Sequence, residues 1–118
     1  MAASSLVAEF EAERAKSIRK YRGKRIAITG PFSGIGKEMR NSYVHIAGDK
    51  VKLVMGSDAP QAEITKLEEA GRRTMSDSDF YSYTLWFGTV GICDGLSRGK
   101  VVFKNCEDVW WWHVRKRR

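Results

Sequence analysis

Residues 24–47, KRIAITGPFSGIGKEMRNSYVHIA, decide the fold. In Lys24–Gly30 the residues Ile26 and Ile28 point one way while Arg25, Ala27 and Thr29 point the other, which is the alternation of a strand. Gly30, Gly34 and Gly36 follow, where a strand bends or turns. The deciding segment is then Ser42–Ala47. Read as a strand, it sets Val44 and Ile46 on one face and Tyr43 and His45 on the other. Read as a helix, it continues a stripe of Ile35, Met39, Tyr43 and Ile46. The β-branched and aromatic residues of SYVHI favour the strand. Gly48-Asp49 is a hairpin turn signal leading into a second alternating run, Lys50–Met55, with Val51, Leu53 and Met55 inward.

Upstream, Ser4–Arg22 reads as one helix. Leu6, Val7, Phe10, Ile18 and Tyr21 share a stripe, Glu9, Glu13, Lys16 and Lys20 lie opposite, and Gly23 stops it. Downstream, Ser57–Ala70 reads as a second helix, capped by Ser57 or Asp58, with Pro60 in its first turn and Gly71 at its end. Ile64 and Leu67 form its inner stripe. A long apolar run, Phe80–Cys93, and Lys100–Cys106 flank a turn-like Asp94–Gly99. The order is helix, three strands, helix, two strands. The expectation is a mainly β protein with flanking helices: a five-stranded OB-fold-like barrel with an N-terminal helix and a helix between strands three and four. Residues 1–109 form one domain, and residues 110–118 an aromatic and basic C-terminal tail.

The chain has 118 residues, room for one ordinary domain. Its 21 Lys and Arg against 14 Asp and Glu give +7, a surplus that suits a polyanionic partner. No run reaches the about 20 apolar residues of a membrane span, and Glu9 comes too early for a signal peptide. A cytoplasmic protein is expected. Cys93 and Cys106, with only His45 and His113 to join them, do not make a metal site and read as buried free thiols. No Ser-His-Asp set, paired carboxylates or metal cluster emerges, so neither catalysis nor a cofactor is expected.

Leu6 and Phe10, Tyr21-Arg22-Gly23-Lys24 running into IAITG, Tyr43-Val44 and Asn105-Cys106 resemble the tRNA-anticodon-binding-like OB-fold family. The resemblance implies an OB barrel and nucleic-acid or other ligand binding. A rival resemblance lies in Thr29-Gly30-Pro31-Phe32-Ser33-Gly34-Ile35-Gly36, which is similar to the TGxxxGxG cofactor loop of short-chain dehydrogenases, with Asp58 where an acidic ribose ligand would stand. That alternative is a minimal dinucleotide-binding protein. The short length and the missing Tyr-x-x-x-Lys pair count against it.

In an OB-fold the ligand meets strands two and three and the loops joining strands one to two and four to five. The candidate nucleic-acid-binding residues are therefore Tyr43, His45, Lys50 and Lys52 on the strands, flanked by Arg25. Lys37 and Arg40 join them from the first loop, Arg98 and Lys100 from the last. Arg115, Lys116, Arg117 and Arg118 of the tail add charge. Aromatic rings stack bases and cations meet phosphates, which suits a single strand with little sequence preference. Trp110, Trp111 and Trp112 cannot all face one way. They are candidate anchors for another protein or subunit, in an alternative reading as an assembly module using the Trp block and first helix. The oligomeric state stays open.

Overall fold

The computed structural model describes residues 1–56, 61–73 and 81–117. The helix cap at Ser57 or Asp58, the placement of Pro60, and Phe80 and Arg118 lie outside them. The chain forms α1 (Ala3–Ala12), α2 (Arg14–Tyr21), β1 (Arg25–Glu38), β2 (Asn41–Ile46), β3 (Val51–Met55), α3 (Gln61–Arg73), β4 (Tyr81–Ser97), β5 (Lys100–Cys106) and β6 (Val109–Arg117).

Ser42–Ile46 is strand, as its side-chain chemistry demanded, and it pairs antiparallel with both neighbours. β3 then pairs parallel with β5, β5 antiparallel with β4, and β4 antiparallel with β1. The five strands thus close in a ring, β1-β2-β3-β5-β4-β1. Ile28, Val44, Ile46, Val51, Leu53, Met55, Phe87, Val101 and Phe103 fill it and are buried. This is the expected mainly β architecture, with the N-terminal helix and a helix between β3 and β4.

β1 departs from the expected seven-residue strand. It runs unbroken through Gly30, Pro31 and Gly34 to Glu38. Its first half, Arg25–Pro31, pairs with β4, and its second half, from Phe32, pairs with β2. The register shift between Phe32 and Gly34 is where it changes partner. One long strand serving two neighbours is how a short sheet bends into a ring. The same geometry overturns the dinucleotide alternative. Thr29–Gly36 is extended and leads into a hairpin, so it offers no helix N-terminus to a pyrophosphate.

The N-terminal helix is also two helices rather than one. Glu13 leaves helical geometry at φ −141°, ψ 77°. In a straight helix Phe10 and Tyr21 would be about 16 Å apart along the axis, yet their rings lie 6.1 Å apart. α2 therefore folds back on α1. Glu9 holds the fold-back, accepting hydrogen bonds from the Tyr21 hydroxyl and from Lys20 at 3.4 Å. The Tyr21 hydroxyl, with the Lys20 ammonium, keeps the Glu9 carboxyl below its usual range. α1 turns Ala3, Leu6, Val7 and Phe10 into the core. α3 buries Ile64 and Leu67 and continues past Gly71 to Arg73.

Residues 110–117, set apart in the sequence as a tail, lie in a sixth strand. β6 runs antiparallel along the first half of β4, from Tyr81↔Arg117 to Thr89↔Val109. β4 is thus one 17-residue strand: Trp86–Thr89 lie between β1 and β6, and beyond them Tyr81–Leu85 form a two-stranded ribbon with β6. Among the described residues no helix is long and apolar enough to cross a membrane.

Candidate nucleic-acid interface

The outer wall of the ring at β2, β3 and β5 carries a groove of about 600 Å³. Its floor follows from alternation. Val44, Leu53 and Phe103 point into the core, so Tyr43, His45, Lys52, Val54, Lys100 and Val102 point out. Its rims are the two hairpin turns, Glu38–Asn41 between β1 and β2, and Ser97–Lys100 between β4 and β5. Positive φ at Met39 (55°) and Arg98 (53°) marks these turns. They bring Glu38, Met39 and Arg98 to opposite sides of the same cleft.

Five of the predicted residues meet here: Tyr43, His45, Lys52, Arg98 and Lys100. The Tyr43 ring lies 5.0 Å from that of His45, and the Lys52 ammonium sits 4.8 Å from the centre of the Tyr43 ring. Opposite Tyr43 on β1 stands Gly36, where a Cβ would come within 2.6 Å of the Tyr43 hydroxyl. Gly36 is therefore a seat for the tyrosine ring, not the bend expected from the sequence. Lys52 also pairs with the Glu38 carboxylate. Asp94 on the rim pairs with Lys104 at 3.4 Å. Arg98 and Lys100 have no ion-pair partner among the described residues.

His45 is mostly enclosed, and its Nε2 has no hydrogen-bond partner. Its Nδ1 lies 3.6 Å from Asp49. Burial lowers its pKa below the ordinary 6.5, and the nearby Lys100 and Lys52 ammoniums add to that against the opposing pull of Asp49. Neutral at pH 7, it lines the groove with its ring while Nε2 is buried and unpaired.

The remaining candidates lie elsewhere, each for a geometric reason. Lys37 sits opposite Ser42 and so belongs to the other face of β1 from Gly36 and Glu38. Arg40 is exposed in the first turn without lining the groove. Lys50 precedes β3 and turns to Glu11 of α1, 3.0 Å away, so Lys50 and Lys52 do not face one ligand together. Arg25, at the start of β1, pairs with Glu107 at 2.9 Å. Arg115 is exposed on β6, which also holds Lys116 and Arg117. Trp111 packs against the core, Trp110 covers Gly88, and the exposed Trp112 stacks on Trp86 at 6.2 Å. Missed in sequence were Glu38, Asp94 and the stacking partner Trp86. Val54 and Val102 were legible, being two residues on from Lys52 and Lys100.

Both thiols are buried. Burial pushes Cys93 up and Cys106 up to about 12, far from the reactive thiolate range. Among the described residues no His, Cys, Asp and Glu cluster suits a metal.

A ring of five strands with a charged, aromatic cleft between two hairpin turns defines a small single-ring β module. The chain belongs to the tRNA_anti-like family, which matches residues 1–74. That span holds α1 to α3, β1 to β3 and the Glu38, Tyr43, His45 and Lys52 side of the groove. The Asp94, Arg98 and Lys100 side and the β4–β6 ribbon lie beyond it. No curated protein and no solved structure matches the chain.

Proposed function

We propose that the protein is a non-catalytic OB-fold module that binds single-stranded nucleic acid in the groove across β2, β3 and β5, with little sequence preference. The family supports a nucleic-acid-binding type of module. The observation that carries the finer reading is the meeting of Lys52, Arg98 and Lys100 with Tyr43 and His45 in one cleft. Three cations at the cleft meet phosphates, and the two rings and Val54 and Val102 give bases an apolar bed. Stacking and phosphate contacts carry no base pattern of their own, hence the tolerance of sequence.

Fluorescence anisotropy with a labelled oligothymidylate tests this, using a strand longer than the about 16 nucleotides one OB fold covers at most. Saturable binding is expected, weakening linearly in log affinity against log salt, and falling when Lys52, Arg98 and Lys100 are replaced together by alanine. Absence of saturation at low salt, or binding unchanged in the triple variant, overturns the assignment.

A further inference from the structure

β6 pairs with β4 on one edge, and among the described residues no strand pairs with its other edge. α3 packs against β6, and the strand edge that no described strand pairs is a template for another strand. The ribbon face it belongs to is apolar and open. Trp112 and Val114 are 39% and 40% exposed, the most exposed large hydrophobics on strands among the described residues, and Trp86 and Trp110 lie beside them. Groove and ribbon occupy opposite ends of β4, so the cleft described above does not use this surface.

The order of residues along β6 points to one occupant. Aromatics fill its first half (Val109, Trp110, Trp111, Trp112) and cations its second (Arg115, Lys116, Arg117). Parallel pairing with a second β6 would set cation positions against cation positions. Antiparallel pairing reverses the order, and the register that uses all nine residues has its two-fold axis at His113. In it Trp112 stands opposite Val114 of the other copy and Trp111 opposite Arg115. Cross-strand aromatic–aliphatic and aromatic–cation pairs are the favourable ones, and like charges stay apart. The patch is self-complementary, as an isologous interface requires.

We propose that the protein forms a two-fold dimer through antiparallel pairing of β6 with β6 of a second copy, centred on His113. Residues directly opposite in such a pair have Cα atoms about 4.5–5.5 Å apart, within disulfide range. His113→Cys therefore cross-links two chains under mild oxidation, whereas Val109→Cys, which faces position 117 of the other copy, does not. The natural thiols are buried and do not interfere.

The experiment is sedimentation of the full chain, paired with non-reducing electrophoresis of the two cysteine variants. The expected mass is twice 13.4 kDa. Trp112→Lys is expected to fall to one chain while keeping its circular dichroism, and Tyr43→Ala to remain a dimer. A single-chain mass at the highest soluble concentration, or no cross-link through residue 113, overturns the proposal. So does a monomer in which Trp112→Lys abolishes oligonucleotide binding, a result that would hand the ribbon to nucleic acid.

Discussion

Tyr43 and Trp112 are both aromatic residues on outward strand faces, and they live in opposite conditions. Tyr43 is seated on Gly36, flanked by His45 and crossed by the Lys52 ammonium, which itself pairs with Glu38. Trp112 stacks on Trp86 and leaves 39% of its surface to solvent. The Tyr43 side of the groove is thus pre-organised, with Lys52 held by Glu38, while Trp112 stands open. A base reaching Tyr43 must displace Lys52, so attraction into the groove comes first from charge and only then from stacking. A surface meeting Trp112 displaces only water. The first condition suits a loosely selective polyanion site, the second a protein contact.

The largest expected effect separates the two surfaces directly. Replacing Lys52, Arg98 and Lys100 together by alanine should cost on the order of 10- to 100-fold in affinity for oligothymidylate at low salt. The slope of log affinity against log salt should shrink by about 2, at about 0.7 per phosphate contact on a single strand. Anisotropy titrations across a salt series measure both. Trp112→Ala should leave both nearly unchanged. The reverse pattern would move the nucleic-acid site to the ribbon.

Two glycines sharpen the comparison next. Gly36→Val drives a branched side chain into the Tyr43 ring, and Gly88→Val does the same to the Trp110 indole. Overpacking of this kind costs about 1–3 kcal/mol, read as a lower urea midpoint for either variant. Their functional effects should split. Gly36→Val is expected to weaken oligonucleotide binding and spare the dimer, and Gly88→Val to do the opposite.

The legible and illegible parts of the chain divide along a physical line. Alternation in Ser42–Met55 gave β2, β3 and the facing of Tyr43, His45 and Lys52, because a two-residue period needs no knowledge of the partner strand. What depended on a partner was lost. The continuation of β1 through Gly30–Gly36 needed β2 to claim its second half, and the run TGPFSGIG carries no local signal for that. Lys37 failed by one residue of parity, and Lys50 by the reach of Glu11 from α1. β6 read as a tail because its pairing with Tyr81–Thr89 spans the nineteen intervening residues 90–108. The fold-back of α2 left the stripe of Leu6, Val7, Phe10 and Tyr21 intact, and it shows in the backbone of Glu13 and in the Phe10–Tyr21 and Glu9–Tyr21 contacts.

A smaller effect is expected at the aromatic pair. Tyr43→Ala removes a stacking surface, for which a base contact is worth about 1–3 kcal/mol. Here the loss should lie near the bottom of that range, because the same substitution frees Lys52 from the ring. The salt slope should stay that of the native protein. Loss of binding together with a flatter slope would mean that Tyr43 positions Lys52 and does not itself stack a base.

The smallest effect is a pH dependence carried by His45. Its folded pKa lies below the ordinary 6.5, chiefly through burial and then through Lys100 and Lys52, with Asp49 pulling the other way. Above about pH 6.5 both folded and unfolded chains hold it neutral, so its contribution to stability is fully present there. As pH falls from that value through the lower folded pKa, the unfolded chain takes up a proton that the folded chain resists, and stability is lost. A bound polyanion reverses the local balance. Its phosphates neutralise Lys52 and Lys100 and favour the imidazolium, so binding takes up a proton and strengthens as pH drops below about 6.5. Urea unfolding and anisotropy at about pH 8 and about pH 5.5 should therefore show opposite trends, a weaker fold and a tighter complex. His45→Gln should flatten the difference in both while leaving the salt slope at the higher pH intact. Wild-type affinity that does not change between the two values would mean that no phosphate approaches His45, and would confine the polyanion to the Arg98 rim.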